Sequence, residues 1–255
     1  MEIDRSQVME NKVPITDVGI SEGDIDEILK YETEEELVKE KQISINRKES
    51  LVGKFVKRVV DIIGGLFGVI LLIPITIVIS IANFFSRDNG PVFFVQERIG
   101  KNGKLFKMYK FRSMVVGADE KLVKYLEKNE EAREEYRINK KLKDDPRVTH
   151  IGEFIRKTSI DEFPQFLNIL KGDMSLVGPR PYLPREQKEM GTYYDLIVKH
   201  KPGLTGLWQV NGRSDVSFEE RLLLDLRYCN NSSLFYDAKI LLKTFGSVVK
   251  KEGAQ

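Results

Sequence analysis

Ile62-Ile-Gly-Gly-Leu-Phe-Gly-Val-Ile-Leu-Leu-Ile-Pro74-Ile-Thr-Ile-Val-Ile-Ser-Ile-Ala-Asn-Phe-Phe-Ser86 contains no charged side chain. A buried helix of a soluble domain rarely reads this way. The run exceeds the roughly 20 apolar residues that cross a bilayer. Two arrangements satisfy it. One is a single spanning helix kinked at Pro74. The other is a re-entrant helix–break–helix over about residues 59–86. Pro74 lies at the centre and frees the carbonyl of Ile70. Gly64, Gly65, Gly68, Thr76, Ser80 and Asn83 can satisfy or solvate a bend. Lys54, Lys57 and Arg58 precede the run and Arg87 and Arg98 follow it, so the positive-inside tendency puts both ends in the cytoplasm. Each half, at about 1.5 Å per residue, reaches roughly 18 Å and enters one leaflet. Asp61 is expected to pair with Lys57 or Arg58 one turn back.

Outward from this segment the charge is uneven. The net charge is +2, yet residues 1–40 hold 13 acidic and 4 basic residues, leaving 37 basic and 26 acidic residues in 41–255. Residues 1–49 therefore read as an acidic, disordered tail, with a short helix near Ile28–Val38. The first residues lack the basic-then-apolar pattern of a secretory signal, so none is expected. Residues 50–255 form the body, whose basic character suits phosphates or anionic lipid. The membrane segment argues against nucleic acid as a partner.

One Cys and two His exclude internal disulfides and zinc clusters. Cys229 is expected to pack, and neither His150 nor His200 is expected to be a catalyst. Carboxylates, basic side chains and a hard metal ion such as Mg²⁺ are left to carry any reaction.

After the membrane segment, Pro91–Ile99 and Lys104–Arg112 read as a hairpin around Gly100-Lys-Asn-Gly103. Residues 118–143 read as one charged helix with Leu122, Leu126 and Tyr136 on its apolar side. Lys171-Gly172 is a helix stop. Met174–Val177 is a short strand, and Gly178-Pro-Arg-Pro181 a rigid loop carrying Arg180. Pro202–Arg213 repeats the pattern of turn, short strand, turn and arginine. Residues 217–229 and 234–250 are amphipathic helices, the last suited to the core or to a membrane interface.

Between these lies Arg156-Lys-Thr-Ser-Ile-Asp161-Glu162-Phe-Pro164-Gln-Phe-Leu-Asn168. A capping box from Ser159 to Glu162 would place Pro164 where it breaks the helix. A helix starting at Asp161 tolerates Pro164 in its first turn and is preferred. Asp161 and Glu162 are then either structural caps or, with Asp161 as nucleophile, a phosphoryl-transfer site. Arg156 would hold phosphate oxygens in a planar fork.

The motifs together resemble the bacterial sugar transferases, the monotopic polyprenyl-phosphate phosphoglycosyl transferases. They are Lys57-Arg58-x-x-Asp61, Gln96-Glu-Arg-Ile-Gly-Lys-Asn-Gly103, Tyr109-Lys-Phe-Arg-Ser-Met114, Asp145-Pro-Arg-Val-Thr149, Arg156–Gln165, Gly172–Pro181 and Pro202–Arg213. The resemblance covers about residues 50–255. It implies a mostly helical α+β fold, with a re-entrant helix–break–helix and a small β-hairpin. It implies that Asp161 attacks the sugar-linked phosphate of a UDP-sugar, that UMP leaves, and that polyprenyl (undecaprenyl) phosphate displaces the aspartyl-phosphosugar. Glu162 would assist through a Mg²⁺ ion held with Asp161 or through proton transfer. Arg156, Pro179 and Arg180 would contact the nucleotide phosphates, with Arg112 and Arg213 as further substrate-binding residues.

The family setting is the cytoplasmic face of the bacterial inner membrane, at the first membrane step of a surface glycan pathway. Homo-oligomers or glycan-assembly partners are compatible with it. A membrane-anchored, inactive adaptor is the alternative, and the intact acidic pair argues against it. Three departures stand out. Ile73-Pro74 replaces the family's frequent Ser-Pro, and His150 and Glu153 stand where basic residues are expected. An acidic tail lies where many relatives carry membrane helices and a nucleotide-binding-like domain.

Overall fold

The computed structural model describes residues 50–86, 90–139, 142–211 and 216–250. The acidic tail with its expected helix, Arg87 and Arg213 lie outside the described residues.

The apolar run forms part of a helix, α1, spanning Leu51–Phe85. Its backbone stays helical through Pro74, with no non-helical residue separating two halves. Proline removes one hydrogen bond there. Just beyond it, Thr76 Oγ1 donates to the Leu72 carbonyl and Ser80 Oγ to the Thr76 carbonyl, each at 2.7 Å. Asp61, Gly65, Gly68, Leu72, Ile79 and Asn83 form one buried stripe, while Phe67, Ile70, Ile77 and Ile81 on the outer side are exposed. Among the described residues α1 is the one helix long and apolar enough to cross a membrane.

Asp61 does not pair one turn back. Its Oδ1 accepts from the Ser175 hydroxyl at 2.9 Å and the Leu176 N–H at 2.8 Å. The two basic neighbours are engaged elsewhere. Arg58 donates to the carbonyls of Ile169 and Leu170 at 2.7 and 2.8 Å, at the C-terminal end of a helix whose last carbonyls need partners outside it. Lys57 donates to the Val177 carbonyl and the Tyr228 hydroxyl, and pairs with Asp237.

The hairpin forms as expected. Strand β1 (Phe93–Ile99) runs antiparallel to β2 (Leu105–Phe111), from Phe93 opposite Phe111 to Ile99 opposite Leu105. The turn needs a left-handed residue, and Asn102 supplies it at φ 58. The charged segment that follows is not one helix. It divides into α2 (Ala118–Lys128) and α3 (Glu130–Asn139), with Asn129 extended between them. Folding back lets Leu122 and Leu126 pack against Ala132, Tyr136 and Leu142, a small core that a straight helix could not close.

Helix α4 (His150–Lys157) is capped by Thr149, whose Oγ1 accepts from the Gly152 N–H at 2.9 Å. Helix α5 (Gln165–Lys171) stops at Gly172, which takes φ 88. Strand β3 (Ser175–Val177) pairs in parallel with β4 (Gly203–Thr205). This second sheet anchors the start of the Gly178–Pro181 loop, where the Gly178 N–H donates to the Thr205 carbonyl at 3.0 Å. A string of short helical turns, Pro184 to Ile197, follows the loop. The chain closes with α6 (Phe218–Asn231), started by a Ser217/Glu220 capping box, and α7 (Leu234–Lys250). Helix α7 is core-facing on one side, where Asp237 and Ile240 are buried, while Phe235, Leu242 and Phe245 are exposed. Cys229 is buried, as expected of a packing residue.

Candidate active site

The acidic pair sits between α4 and α5, and neither expected helix register holds. Ser159 makes no side-chain cap and takes a left-handed φ of 55. That reversal ends α4 and starts a separate 3₁₀ turn, Ile160–Glu162. Pro164 then occupies the cap position of α5, where a missing N–H costs nothing. Asp161 therefore owes little to a helix dipole; its surroundings come from side chains on other elements.

Lys110, near the end of β2, is the nearest of these. Its Nζ donates to Glu162 Oε1 at 2.8 Å and lies 3.9 Å from Asp161 Oδ2. The Asp161 side chain is 13% exposed and that of Glu162 35%. The two carboxyls respond in opposite ways. Burial pushes Asp161 up to about 6 and the Glu162 charge adds to this, while Lys110 and Arg156 pull against it. Burial also opposes the Glu162 charge, but the Lys110 hydrogen bond and charge, with Arg180 and Arg98, hold that carboxyl below its ordinary value. The pair thus offers one firmly ionised acid and one that ionises near neutrality.

The expected arginines divide into groups. Arg156 donates from Nε to the Ser113 hydroxyl at 2.8 Å and exerts its charge on Asp161. Arg180 acts on Glu162, and its guanidinium lies 5.3 Å from the Trp208 ring centre. Pro179 gives its carbonyl to the Gly203 N–H at 2.9 Å, tying the loop to β4. Arg112 is buried and braced on its own loop, donating to the carbonyls of Pro91 at 2.6 Å and Met114 at 3.0 Å.

Two basic residues of the site were missed by sequence reading. Strand alternation contained the signal for Lys110: it shares a face of β2 with Met108, which is buried against Ile169, so it points toward the acidic pair. Arg98 stands in the sequence both as a flank of the membrane run and within the motif of residues 96–103, and neither position gives it a role in the site. It is buried, donates to the Pro181 carbonyl at 3.0 Å, and acts on Glu162.

Two adjacent carboxylates suit a hard divalent cation. Among the described residues no three His, Cys, Asp or Glu side chains gather as a closed metal cage. Asp161 and Glu162 are hard oxygen donors of the kind Mg²⁺ takes.

Residues 52–251 match the family model described as bacterial sugar transferase. The chain is 47% identical to the UDP-galactose-lipid carrier transferase of Erwinia amylovora over 201 residues, 79% of this chain and 42% of that protein. It is 45% identical to the undecaprenyl-phosphate galactose phosphotransferase of Salmonella typhimurium, again over 79% of this chain and 42% of that protein. It is 42% identical to the exopolysaccharide production protein ExoY of Rhizobium meliloti, over 80% of this chain and 89% of the relative. The chain thus spans less than half the length of the first two proteins and nearly all of the third.

Proposed function

The chain belongs to the bacterial sugar transferase family, and on that premise we propose that it transfers a phosphosugar from a UDP-sugar to polyprenyl phosphate through Asp161, releasing UMP. The observation that carries the reading is the geometry of the pair: Asp161 lies directly beside Glu162, with Lys110 Nζ 2.8 Å from Glu162 Oε1 and 3.9 Å from Asp161 Oδ2. Relatives named for transfer to a lipid carrier and to undecaprenyl phosphate support the substrate class.

In the first step an Asp161 carboxylate oxygen attacks the sugar-linked phosphorus. A P–O bond forms to Asp161, the P–O bond to UMP breaks, and its electron pair leaves with UMP. In the second step a phosphate oxygen of the polyprenyl carrier attacks the same phosphorus, and the carboxylate of Asp161 is regenerated. Arg156 and Arg180 set positive charge around the phosphate oxygens, with Arg213 assigned to the same task. Pro179 stiffens the loop that presents Arg180, and Arg112 acts through the loop it braces. Asp161 and Glu162 would hold Mg²⁺, which when bound supplies charge neutralisation for the diphosphate.

The acceptor phosphate lies at a membrane surface and the nucleotide-sugar in the cytoplasm. We assign the body to the cytoplasmic face of the inner membrane, with α1 re-entrant rather than spanning. The test is UMP release by purified protein offered a panel of UDP-sugars with Mg²⁺ and polyprenyl phosphate, alongside intact-mass analysis of the protein with donor alone. UMP release and a phosphosugar adduct lost in Asp161→Asn are expected. UMP release with no adduct, or with an adduct that survives Asp161→Asn, would overturn the covalent route.

A further inference from the structure

Behind the Arg180 loop lies a cluster that the two chemical steps do not use. Asp225, on α6, is wholly buried (0% exposed). Its Oδ2 accepts from the Arg180 backbone N–H at 2.9 Å and from the Tyr182 hydroxyl at 2.8 Å. Its Oδ1 has no hydrogen-bond partner among the described residues. Burying a carboxyl this deeply opposes its charge and pushes it up to about 7, against the pull of those two donors and of the Arg180 and Arg221 charges. So costly a group is not needed to fill space, because an apolar side chain would do that better.

The guanidinium of Arg180 is held from another direction. Trp208 meets two arginines, with Arg180 5.3 Å and Arg221 4.9 Å from its ring centre. The Arg180 Nε is buried and has no hydrogen-bond partner among the described residues. Its side chain is therefore placed by the Trp208 ring, by Glu186, whose Oε1 lies 3.9 Å from Arg180 Nη2, and by where its own backbone is pinned, not by hydrogen bonds at Nε. Arg98 pins the next carbonyl, that of Pro181.

We propose that Asp225 is a positioning residue for Arg180: by fixing the Arg180 amide and the Tyr182 hydroxyl it aims the guanidinium, stacked on Trp208, at the phosphate of the leaving nucleotide. This rests on the function proposed above. The arrangement spans three elements, α6, the Gly178–Pro181 loop and the helical turn Leu207–Val210, so it sets an angle that no single element could.

The test is a double-mutant cycle between Asp225→Ala and Arg180→Ala, read as KM for the UDP-sugar, as kcat, and as the Kd for UMP by calorimetry. Asp225→Ala should raise donor KM and UMP Kd about tenfold with a smaller fall in kcat. In the Arg180→Ala background it should add less than about twofold, since the group it aims is gone. Asp225→Asn keeps an acceptor for the Arg180 amide and serves in the same cycle if the alanine variant does not fold; it should shift KM about threefold, again only when Arg180 is present. Effects that multiply independently of Arg180, or a fall in kcat with KM and Kd unchanged, would overturn the proposal. If the wild type binds UMP but turns over no donor, the function fails and the cycle is still read in Kd. A wild type that does neither overturns both.

Discussion

A carboxylate that attacks phosphorus must be ionised, yet Asp161 sits where burial favours its neutral form. Its ordinary value is raised to about 6, so the attacking form is gained as pH rises through 6 and lost below it. The rate constant kcat/KM for the donor should therefore climb about tenfold per pH unit on the acid side and level off above. Lys110 favours the charged form of Asp161 by its own charge. Lys110→Met removes that help and should move the acid limb to higher pH; an unmoved limb would show that Lys110 serves Glu162 alone. Asp161→Asn should cut UMP release on the order of a thousandfold or more, and Glu162→Gln should be severely impaired. Excess chelator should abolish release and added Mg²⁺ restore it, whereas full activity in chelator would count against carboxylate-held metal. The acidic pair was legible because both acids are adjacent in sequence and set in a long motif. Lys110 was not, because it lies across the fold on β2 and only strand register brings it to the pair.

Among the elements, α1 and α5 decide where the acidic pair stands. Their close approach depends on small residues. A Cβ at Gly65 would come within 2.7 Å of Leu170 on α5, while one at Gly64 would come within 2.6 Å of Leu176 on β3. At Gly68 it would overlap the ring of Phe166. Gly68→Leu should force α5 away from α1, costing about 1–3 kcal/mol as overpacked cores do. The expected result is a lower melting temperature in detergent together with reduced turnover, since Phe166, on α5, follows Glu162 by four residues. An unchanged melting point would mean that α5 is seated by other contacts. At this scale the sequence was read well where a local signal sufficed: the hairpin turn, the stop at Gly172 and the start of α6 all formed near the expected places. It was read badly where the deciding partner was distant. Asn129 alone does not announce a break, and the Leu122–Leu142 cluster that rewards it appears only once the chain has folded back. Likewise Asp61 was assigned to near neighbours on its own helix, whereas Ser175 and Leu176 claim it.

For the molecule as a whole, α1 decides how the membrane is met. Thirty-five residues at about 1.5 Å each make a helix longer than the roughly 30 Å hydrocarbon core. The helix touches the body near both of its ends. Lys57 pairs with Asp237 on α7, and Arg58 reaches the end of α5. Farther along, Leu72 and Ile79 join Phe111 and Ile155 in one apolar cluster. A helix crossing the bilayer perpendicularly could not keep both contacts unless the charged body entered the lipid with it, at a cost of several kcal/mol for each unsatisfied polar group. Lying on the body with its outer apolar face in one leaflet, it keeps both. Residues on either side of α1 should then share one compartment. Single cysteines placed at Ser6 and Ser247, in a Cys229→Ser background, would be treated with an impermeant thiol reagent on intact cells and on inverted vesicles. Both should react only in inverted vesicles, which places them on the cytoplasmic side with Asp161 and its nucleotide-sugar. Labelling of the Ser6 site from outside the cell would sink the re-entrant arrangement. It would make α1 a spanning anchor, and the contacts of Leu72 and Ile79 with the body would then have to be lost in the membrane.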